Sequence, residues 1–265
     1  MNDDDRLRQM LEHLLTSICR RATTLQLDGS FEQEIGPIIE RDSYDAPSAE
    51  DILAQAFAPD RRELLDFGCG PMNHRPFIES LGYRWRGVDY LGGVSPTVLN
   101  EVQGLESEIS FYDGRMLPYP PEEFDAIWAM LVLQHVQHID ITFTELARVL
   151  RKGGKVIGQI SYLEQIQDYG TFNFTPYGMK VAAQRNGLLL TRIYPKHDAF
   201  SFLLRRLTIT LGSSDDTPFD GLFNPDGFFH RKIIETGERI GMSVAEINLV
   251  RLMFCTHFVF ELTKP

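Results

Sequence analysis

A short apolar strand that runs straight into a glycine-rich turn is the feature that most constrains this chain. Residues 63–67 are mainly apolar, and the Gly-Cys-Gly-Pro segment of residues 68–71 follows them directly. Such a turn allows positive φ and leaves no side chain to keep a ligand away from the backbone. In an open α/β sheet, ligands bind beyond the carboxyl ends of the strands. Asp66 would place a carboxylate at that edge, suited to the ammonium end of an amino-acid-like ligand.

Strand and helix patterns alternate from Arg62 to Tyr194. Such alternation implies right-handed crossovers and a mainly parallel sheet. We therefore predict an α/β fold with a Rossmann-like, doubly wound sheet of seven strands, mainly parallel with an antiparallel last strand and with helices on both faces. The predicted strands are residues 63–67, 83–89, 108–112, 124–130, 155–161, 188–194 and 253–262, and the predicted helices are residues 73–81, 141–152 and 175–187, with a short one from residue 95.

The segment before this region predicts helices and a loop. An amphipathic helix is expected over residues 5–20, a loop over residues 21–47, and a helix that begins at Ser48 with a capping-box-like start. We predict that residues 1–60 form an N-terminal helical lid.

The remaining chain divides into a core, an insertion and a return. Residues 61–195 form the predicted ligand-binding core. Residues 196–250 are far longer than a usual connection between strands, and we interpret them as a helical cap over the substrate, with helices near residues 200–211 and 228–240. Residues 251–265 are predicted to return to the core as its final strand.

The composition disfavours several kinds of partner. A formal net charge of −11 gives no global attraction to nucleic acid or to anionic membrane, so a small-molecule substrate is expected. No apolar run approaches the roughly 18 residues of a membrane span. Cys19, Cys69 and Cys255 do not form a disulfide framework, which predicts a reducing, cytoplasmic location. No metal site is expected, because ligand spacing is lacking, and the oligomeric state is left open.

A second carboxylate, at the end of the next strand, indicates which kind of ligand the glycine turn binds. Asp89 ends the second predicted strand, where an acidic residue can accept hydrogen bonds from both ribose hydroxyls of a nucleoside. A dinucleotide fingerprint needs a third glycine where Asn73 stands, so NAD is disfavoured. An NAD-dependent oxidoreductase is kept as a minor alternative.

Five sequence blocks between residues 65 and 154 have a characteristic order and spacing. They are LDFGCG at 65–70, GVD at 87–89, YDGRMLPY at 112–119, FDAIWAMLVLQHV at 124–136 and ELARVLRKGG at 145–154. Together they resemble the class I methyltransferases, within them the type 11 group that includes the ubiquinone and menaquinone biosynthetic enzymes. The resemblance implies S-adenosyl-L-methionine as cofactor and methyl transfer to a small-molecule acceptor.

The resemblance also implies which residues hold that cofactor, all of them near the ends of the first four strands. One departure is visible, since Met72 stands where many members have a third glycine. The expected set is Asp66, Gly68, Cys69 and Gly70 for the methionine part, Asp89 and Tyr90 for the ribose, Asp113 and Gly114 for the adenine, and Met130 and Leu131 beneath the sulfonium.

Histidines are the candidates for a general base. His135 follows the fourth strand with Gln134, at the rim where an acceptor should lie. His197 follows the sixth strand beside Asp198. Each has the alternative of a purely local structural role. Of the remaining candidates, His138 and His230 are weaker, and His74 is expected to face solvent.

The acceptor itself is only weakly indicated. Residues 172–179 resemble the F-T-P-x-G helix entry of members associated with sugar and glycan pathways, although Asn173 stands where that pattern has arginine. The alternative is a threonine N-cap followed by proline at the first helical position. We predict methylation of a sugar or glycan hydroxyl or of another metabolite, with a non-catalytic adenosylmethionine-binding scaffold as the alternative.

Overall fold

The computed structural model describes residues 3–24, 30–56, 62–90, 92, 109–164, 170–203 and 227–265. Its helices are α1 (Asp3–Thr24), α2 (Ser30–Ile35), α3 (Ala49–Gln55), α4 (Arg75–Ser80), α5 (Ile139–Val149), α6 (Pro176–Arg185), α7 (Phe228–Arg239) and α8 (Val244–Met253), with 3-10 turns at Gly36–Ile38 and Leu133–His135. Its strands are β1 (Glu63–Phe67), β2 (Arg84–Asp89), β3 (Ile109–Phe111), β4 (Phe124–Met130), β5 (Leu150–Ser161), β6 (Leu189–Pro195) and β7 (His257–Thr263).

The seven strands form one sheet in the order β3-β2-β1-β4-β5-β7-β6. Neighbouring pairs from β3 to β5 are parallel. Next to β7, the Lys264 carbonyl accepts from the Gly153 N–H of β5 at 2.8 Å, and the Lys264 N–H donates to the Gly154 carbonyl of β5 at 3.0 Å, as antiparallel neighbours do. The predicted fold class is therefore confirmed.

The central strands carry the core. Every residue of β1 is buried, and so are six of the seven residues of β4. Parallel strands covered on both faces read as continuous apolar runs rather than as alternating patterns, which is why β1 and β4 were predictable. Their burial fixes the ends of both strands, and the glycine turn after β1 is anchored to a rigid support.

The chain forms two compact units. Residues 1–46 and 194–258 make up one unit, and residues 47–193 and 259–265 make up the other. In the first, α1 packs with α7 and α8 through a core of Leu15, Cys19, Ile233, Ile247 and Val250. The N-terminal segment and the insertion therefore share one hydrophobic core, while α3 belongs to the sheet-containing unit. Their roles as lid and cap stay predictions.

The end of one helix and the start of the final strand differ from the prediction. The helix expected to reach Lys152 ends at Val149, because Leu150 is already extended and pairs with Phe124 at the start of β5. The final strand begins at His257 rather than at Met253, because α8 precedes it. That helix, which the sequence analysis missed, begins at Ser243 with a capping box.

Other expectations near the termini and loops have mixed outcomes. The segment predicted as a loop over residues 21–47 contains α2 and the end of α1. The start of α3 is confirmed, since Ser48 and Asp51 form a capping box. The short helix expected from residue 95 lies outside the described residues. Helical structure is present at residues 199–203, and the rest of the helix predicted to reach residue 211 also lies outside them.

The three cysteines are buried thiols at Cys19, Cys69 and Cys255. In the ranges given above, no helix combines the length and the apolar character needed to cross a bilayer. The cytoplasmic location stays a prediction.

Candidate functional site

The glycine turn after β1 contains two residues with positive φ, Gly68 at 71° and Gly70 at 47°. The Gly68 N–H donates to the Val88 carbonyl at 2.9 Å, which ties the turn to β2. A Cβ on Gly68 would lie 2.2 Å from Cγ2 of Val132, whereas one on Gly70 would meet nothing within 4 Å. Gly68 is therefore needed for close packing on the segment after β4, and Gly70 presents open backbone to a ligand.

Met72 occupies the position where a third glycine was expected. Its φ is 61°, in the left-handed region that favours glycine. The Met72 N–H donates to the Cys69 carbonyl at 3.0 Å, and its side chain packs against the cluster of Cys69 and Ile109. The turn thus keeps a glycine-type backbone at this position, with a side chain that fills a small apolar cluster.

Asp89 links the end of β2 to the glycine turn. Its Oδ2 accepts a hydrogen bond from the Gly70 N–H at 2.8 Å, and its Oδ1 accepts one from the Tyr90 N–H at 2.7 Å. The residue is buried. Burial raises the pKa of Asp89, and these two backbone hydrogen bonds oppose that rise.

Asp66 lies deeper, with only 2% of its surface exposed. Its Oδ2 accepts a hydrogen bond from the indole Nε1 of Trp85 at 3.0 Å. Burial raises the pKa of Asp66 to about 7; the Trp85 hydrogen bond lowers it and the charge of Asp89 raises it further. Sequence reasoning missed Trp85, because nothing in the local pattern of β2 marks it as a partner of β1.

The loop after β3 places Asp113 and Gly114 beside Tyr90. Gly114 has φ 79°, and a Cβ there would lie 3.2 Å from the Tyr90 ring. Asp113 is exposed, and its Oδ1 accepts hydrogen bonds from the Arg115 and Met116 N–H groups, each at 2.8 Å. These bonds lower the pKa of Asp113, so its carboxylate is ionised at neutral pH.

The segment after β4 is braced by a buried glutamine. Met130 ends β4, and Leu131 follows with φ 50° and donates to the Gln159 carbonyl at 2.9 Å. Gln134, which is fully buried, donates from Nε2 to the Leu131 carbonyl at 2.6 Å. The backbone carbonyl of Gln134 accepts from the Thr171 N–H at 2.7 Å. Leu131, which is predicted to lie beneath the sulfonium, is therefore held through its N–H by Gln159 and through its carbonyl by Gln134.

Three of the candidate histidines, His74, His135 and His138, lie in the same unit as these residues. His135 is half-buried in the 3-10 turn after β4, with Nε2 3.5 Å from Nε2 of Gln134. His74 packs edge-on against Trp128, with ring centroids 5.6 Å apart, and burial lowers its pKa. The expectation that His74 faces solvent is therefore wrong.

The candidates His197 and His230 lie in the unit of residues 1–46 and 194–258. The His197 ring meets His257 edge-on, with centroids 5.9 Å apart. Both oxygens of Asp198 accept hydrogen bonds from Ser201, at 2.7 and 2.8 Å, as a helix cap does. These contacts give no support to a His197–Asp198 pair. His230 is fully buried, and burial lowers its pKa to about 3, so it is neutral at physiological pH.

The structure brings the predicted cofactor residues of the first four strands to one edge of the sheet. The site offers buried and exposed carboxylates, an open glycine backbone and an aromatic ring, which suit an amino acid joined to a nucleoside. Among the described residues, no group of histidine, cysteine and acidic side chains could hold a metal ion. The fold is that of an α/β domain with its predicted ligand-binding residues at the carboxyl edge of the parallel strands.

Comparison with known proteins identifies the family of this domain. Residues 65–158 match the family described as a methyltransferase domain, of type 11. Residues 65–158 therefore carry a class I S-adenosylmethionine-dependent methyltransferase domain of the type 11 group. The matched segment includes β1, the glycine turn, Asp89 and the segment after β4, so it covers the positions described above.

Curated relatives match over part of the chain. Methyltransferase GfsG of Streptomyces halstedii is 32% identical over 99 residues, which are 36% of this chain and 36% of the relative. The ubiquinone/menaquinone biosynthesis C-methyltransferase UbiE of Bartonella bacilliformis is 28% identical over 119 residues, 40% of this chain and 46% of the relative. The match thus spans less than half the length of these relatives.

Solved structures share the fold over most of the chain. The crystal structure of the [4+2]-cyclase SpnF has a TM-score of 0.52 at 16% identity, covering 93% of this chain and 94% of that one. At this identity the similarity concerns the fold alone. Because that protein is described as a cyclase, the fold does not by itself decide which reaction is performed.

Proposed function

We propose that this protein transfers the methyl group of S-adenosyl-L-methionine to a small-molecule acceptor. The observation that carries the proposal is the Asp89 carboxylate, which is fixed by the Gly70 and Tyr90 N–H groups at the end of β2. A buried carboxylate held in this way is preorganised to accept hydrogen bonds from ribose hydroxyls. The family of the domain supports the same cofactor.

The residues present fit that cofactor. The backbone of Gly70 is open on its Cβ side, and Asp66 and Asp89 supply carboxylates at the ends of adjacent strands for the ammonium and ribose groups. Asp113 and Gly114 would hold the adenine, and Tyr90 would flank the ribose. When bound, the cofactor supplies an activated methyl group on a positively charged sulfur. The protein's own work is then to position the acceptor, exclude water and, for a hydroxyl, remove a proton.

We infer that the acceptor binds near the 3-10 turn that follows β4. The Phe172 N–H donates to the Gln134 carbonyl at 3.1 Å, so the loop that carries Phe172 borders His135. Phe172 and Tyr177 are exposed aromatic side chains, 39% and 50% accessible. An exposed aromatic ring on a loop that borders a histidine suits an acceptor with an apolar face and a hydroxyl, such as a sugar. His135 is the base we propose.

The helix entry at Thr175 has a structural explanation. Its Oγ1 accepts a hydrogen bond from the Gly178 N–H at 2.9 Å, and Pro176 occupies the first turn. The similarity of this segment to members of sugar and glycan pathways is therefore accounted for by capping. The proposal of a sugar hydroxyl rests on the aromatic side chains instead.

Calorimetry with S-adenosylhomocysteine tests cofactor binding. We expect saturable binding by the full chain and none of comparable affinity for NAD. Absence of binding by folded protein overturns the proposal, and preferential binding of NAD supports the oxidoreductase. Turnover of adenosylmethionine with a panel of glycosides, phenols and amines then separates an enzyme from a scaffold, because a scaffold binds and does not turn over.

A matched pair of variants tests His135. We expect His135→Gln to lower kcat for a hydroxyl acceptor by about 10²–10⁴-fold, with little change in cofactor affinity. His138→Gln is the control, since His138 is exposed three residues further on. Equal effects of the two substitutions would exclude His135 as the base.

A further inference from the structure

Trp85 and Asp66 form a side-chain pair across two neighbouring strands. Asp66 pairs in register with Gly87, and Trp85 lies two residues before Gly87 on the same face of β2. The indole reaches Asp66 diagonally, with Nε1 3.0 Å from Oδ2. A Cβ on Gly87 would lie 2.5 Å from the Trp85 ring. The absence of a side chain at Gly87 therefore makes room for this hydrogen bond.

The indole is also held from its other side. The guanidinium of Arg75, at the start of α4, lies 4.9 Å from the centre of the Trp85 ring. Arg75 in turn pairs with Glu79 one helical turn later, at 3.0 Å. Because α4 begins just after the glycine turn, the helix, the indole and the carboxylate form one connected arrangement.

We propose that Trp85 is a positioning residue whose indole N–H holds the Asp66 carboxylate in one orientation for the ammonium group of an amino-acid-like ligand. The inference rests on the proposed function, in which that group belongs to the cofactor. A carboxylate oxygen has more than one acceptor site, so Asp66 can bind the indole and an ammonium group together. Because the rigid indole already fixes one oxygen of the Asp66 carboxylate, the ligand does not have to order that carboxylate when it binds.

Several charged groups face this pair and bear on its pH dependence. The charge of Asp89 on β2 raises the pKa of Asp66 further. The thiol of Cys69 in the turn stays neutral, because burial and the carboxylates of Asp66 and Asp89 raise its pKa. Arg75 lies over the indole. Burial raises the pKa of the Asp66 carboxyl to about 7. His74 packs on Trp128, the β4 residue that pairs in register with Asp66 of β1.

The pair is tested first without any ligand. The chain has two tryptophans, so Trp128→Phe leaves Trp85 as its single fluorophore and also removes the ring that reports on His74. We expect the Trp85 emission to titrate with a midpoint near 7, and Asp66→Asn to abolish the transition. A transition that persists in Asp66→Asn, or none between pH 5 and 9, would overturn the pairing. If Trp128→Phe fails to fold, the wild-type minus Trp85→Phe difference spectrum gives the same titration.

Binding of S-adenosylhomocysteine then tests the positioning role. Trp85→Phe keeps an aromatic ring and deletes the N–H donor. We expect its affinity at pH 7 to fall about tenfold, as for a lost hydrogen bond to a charged group. The lost hydrogen bond favoured the ionised carboxylate, so the pH below which binding weakens should be higher in Trp85→Phe than in wild type. The difference in affinity between the two proteins should be smaller at pH 9 than at pH 7.

The outcomes separate this inference from the proposed function. A pH-independent loss in Trp85→Phe would mean a structural role only and overturns the inference, as does wild-type affinity. Failure of the wild-type protein to bind at any pH overturns the proposed function and the ligand assigned to Asp66. The fluorescence titration would still decide whether Trp85 holds the carboxylate.

Discussion

The carboxylate of Asp89 accepts the backbone N–H of Gly70 at 2.8 Å, across 19 positions of the chain. This bond closes the glycine turn onto the end of β2 and leaves the turn's outer face open. The family signature therefore works as one structural unit: the turn supplies the open backbone, and the downstream acid fixes it. Neither residue would have this effect without the parallel pairing of β1 and β2.

Replacing Asp89 with asparagine removes the negative charge and keeps the size of the side chain, so it tests what the charge contributes. The amide keeps one acceptor oxygen but turns an N–H₂ group toward either the Gly70 or the Tyr90 donor. We expect affinity for S-adenosylhomocysteine, measured by calorimetry, to fall at least about tenfold, since a charge-assisted bond is lost. Asp140→Asn, at an exposed carboxylate of α5, is the control and should bind normally. Wild-type affinity in Asp89→Asn would contradict the ribose assignment.

Asp66 should make the stability of the protein depend on pH. Its pKa is raised from 3.8 to about 7 in the folded protein. Between those values the folded state holds a proton that the unfolded chain has released, so stability falls as pH rises through this window and levels off above it. Asparagine mimics the neutral acid and still accepts from Trp85.

We therefore expect Asp66→Asn to be more stable than wild type at pH 8, by at most roughly 4 kcal/mol, and nearly equal to it at pH 4. Urea denaturation at both values measures the difference. The same variant should bind S-adenosylhomocysteine more weakly, because the ammonium group loses its carboxylate. A stability difference independent of pH would rule out the buried charge as its cause.

Local patterns were sufficient to predict the sheet and the edge of it at which the candidate cofactor residues lie. The buried run of β1, the glycine turn and the acid at the end of β2 are consequences of chain order alone. The Trp85–Asp66 contact was out of reach, because it depends on register and on the missing side chain of Gly87. A diagonal contact of this kind leaves no period in the sequence.

The association of distant segments was equally hidden. Leu15 and Ile247 share a core although more than 200 residues separate them. Apolar periodicity shows that each helix has a buried face but does not identify what covers it. The end of α5 at Val149 was missed because Arg151 and Lys152 resemble helix-ending cations, while the pairing of Leu150 with Phe124 starts the strand earlier.

Met72 offers a test of backbone strain in the turn. A left-handed conformation costs a residue with a side chain about 1–2 kcal/mol relative to glycine. Met72→Gly removes that cost and also the side chain that packs against Cys69. Met72→Ala loses the same packing and keeps the strain. We expect Met72→Gly to be about 1 kcal/mol more stable than Met72→Ala in urea denaturation. The reverse order would show that the turn relaxes to negative φ at this residue.

Alanine substitution should destabilise the protein much more at Gly68 than at Gly70. In Gly68→Ala the new methyl group would lie 2.2 Å from Val132 at φ 71°, so we expect a loss of about 3 kcal/mol or more in the free energy of unfolding. In Gly70→Ala nothing lies within 4 Å, and the loss should be about 1 kcal/mol.

Ligand binding should show the opposite order of severity. The Gly70→Ala methyl group projects into the open face where the cofactor would lie, so the folded variant should lose S-adenosylhomocysteine binding. Adding Val132→Ala to Gly68→Ala should recover part of the stability, because it removes the nearest clashing atom. Chemical denaturation and calorimetry on the same preparations measure both effects. If Gly70→Ala binds normally, the cofactor does not lie against the face of the turn that Gly70 leaves open.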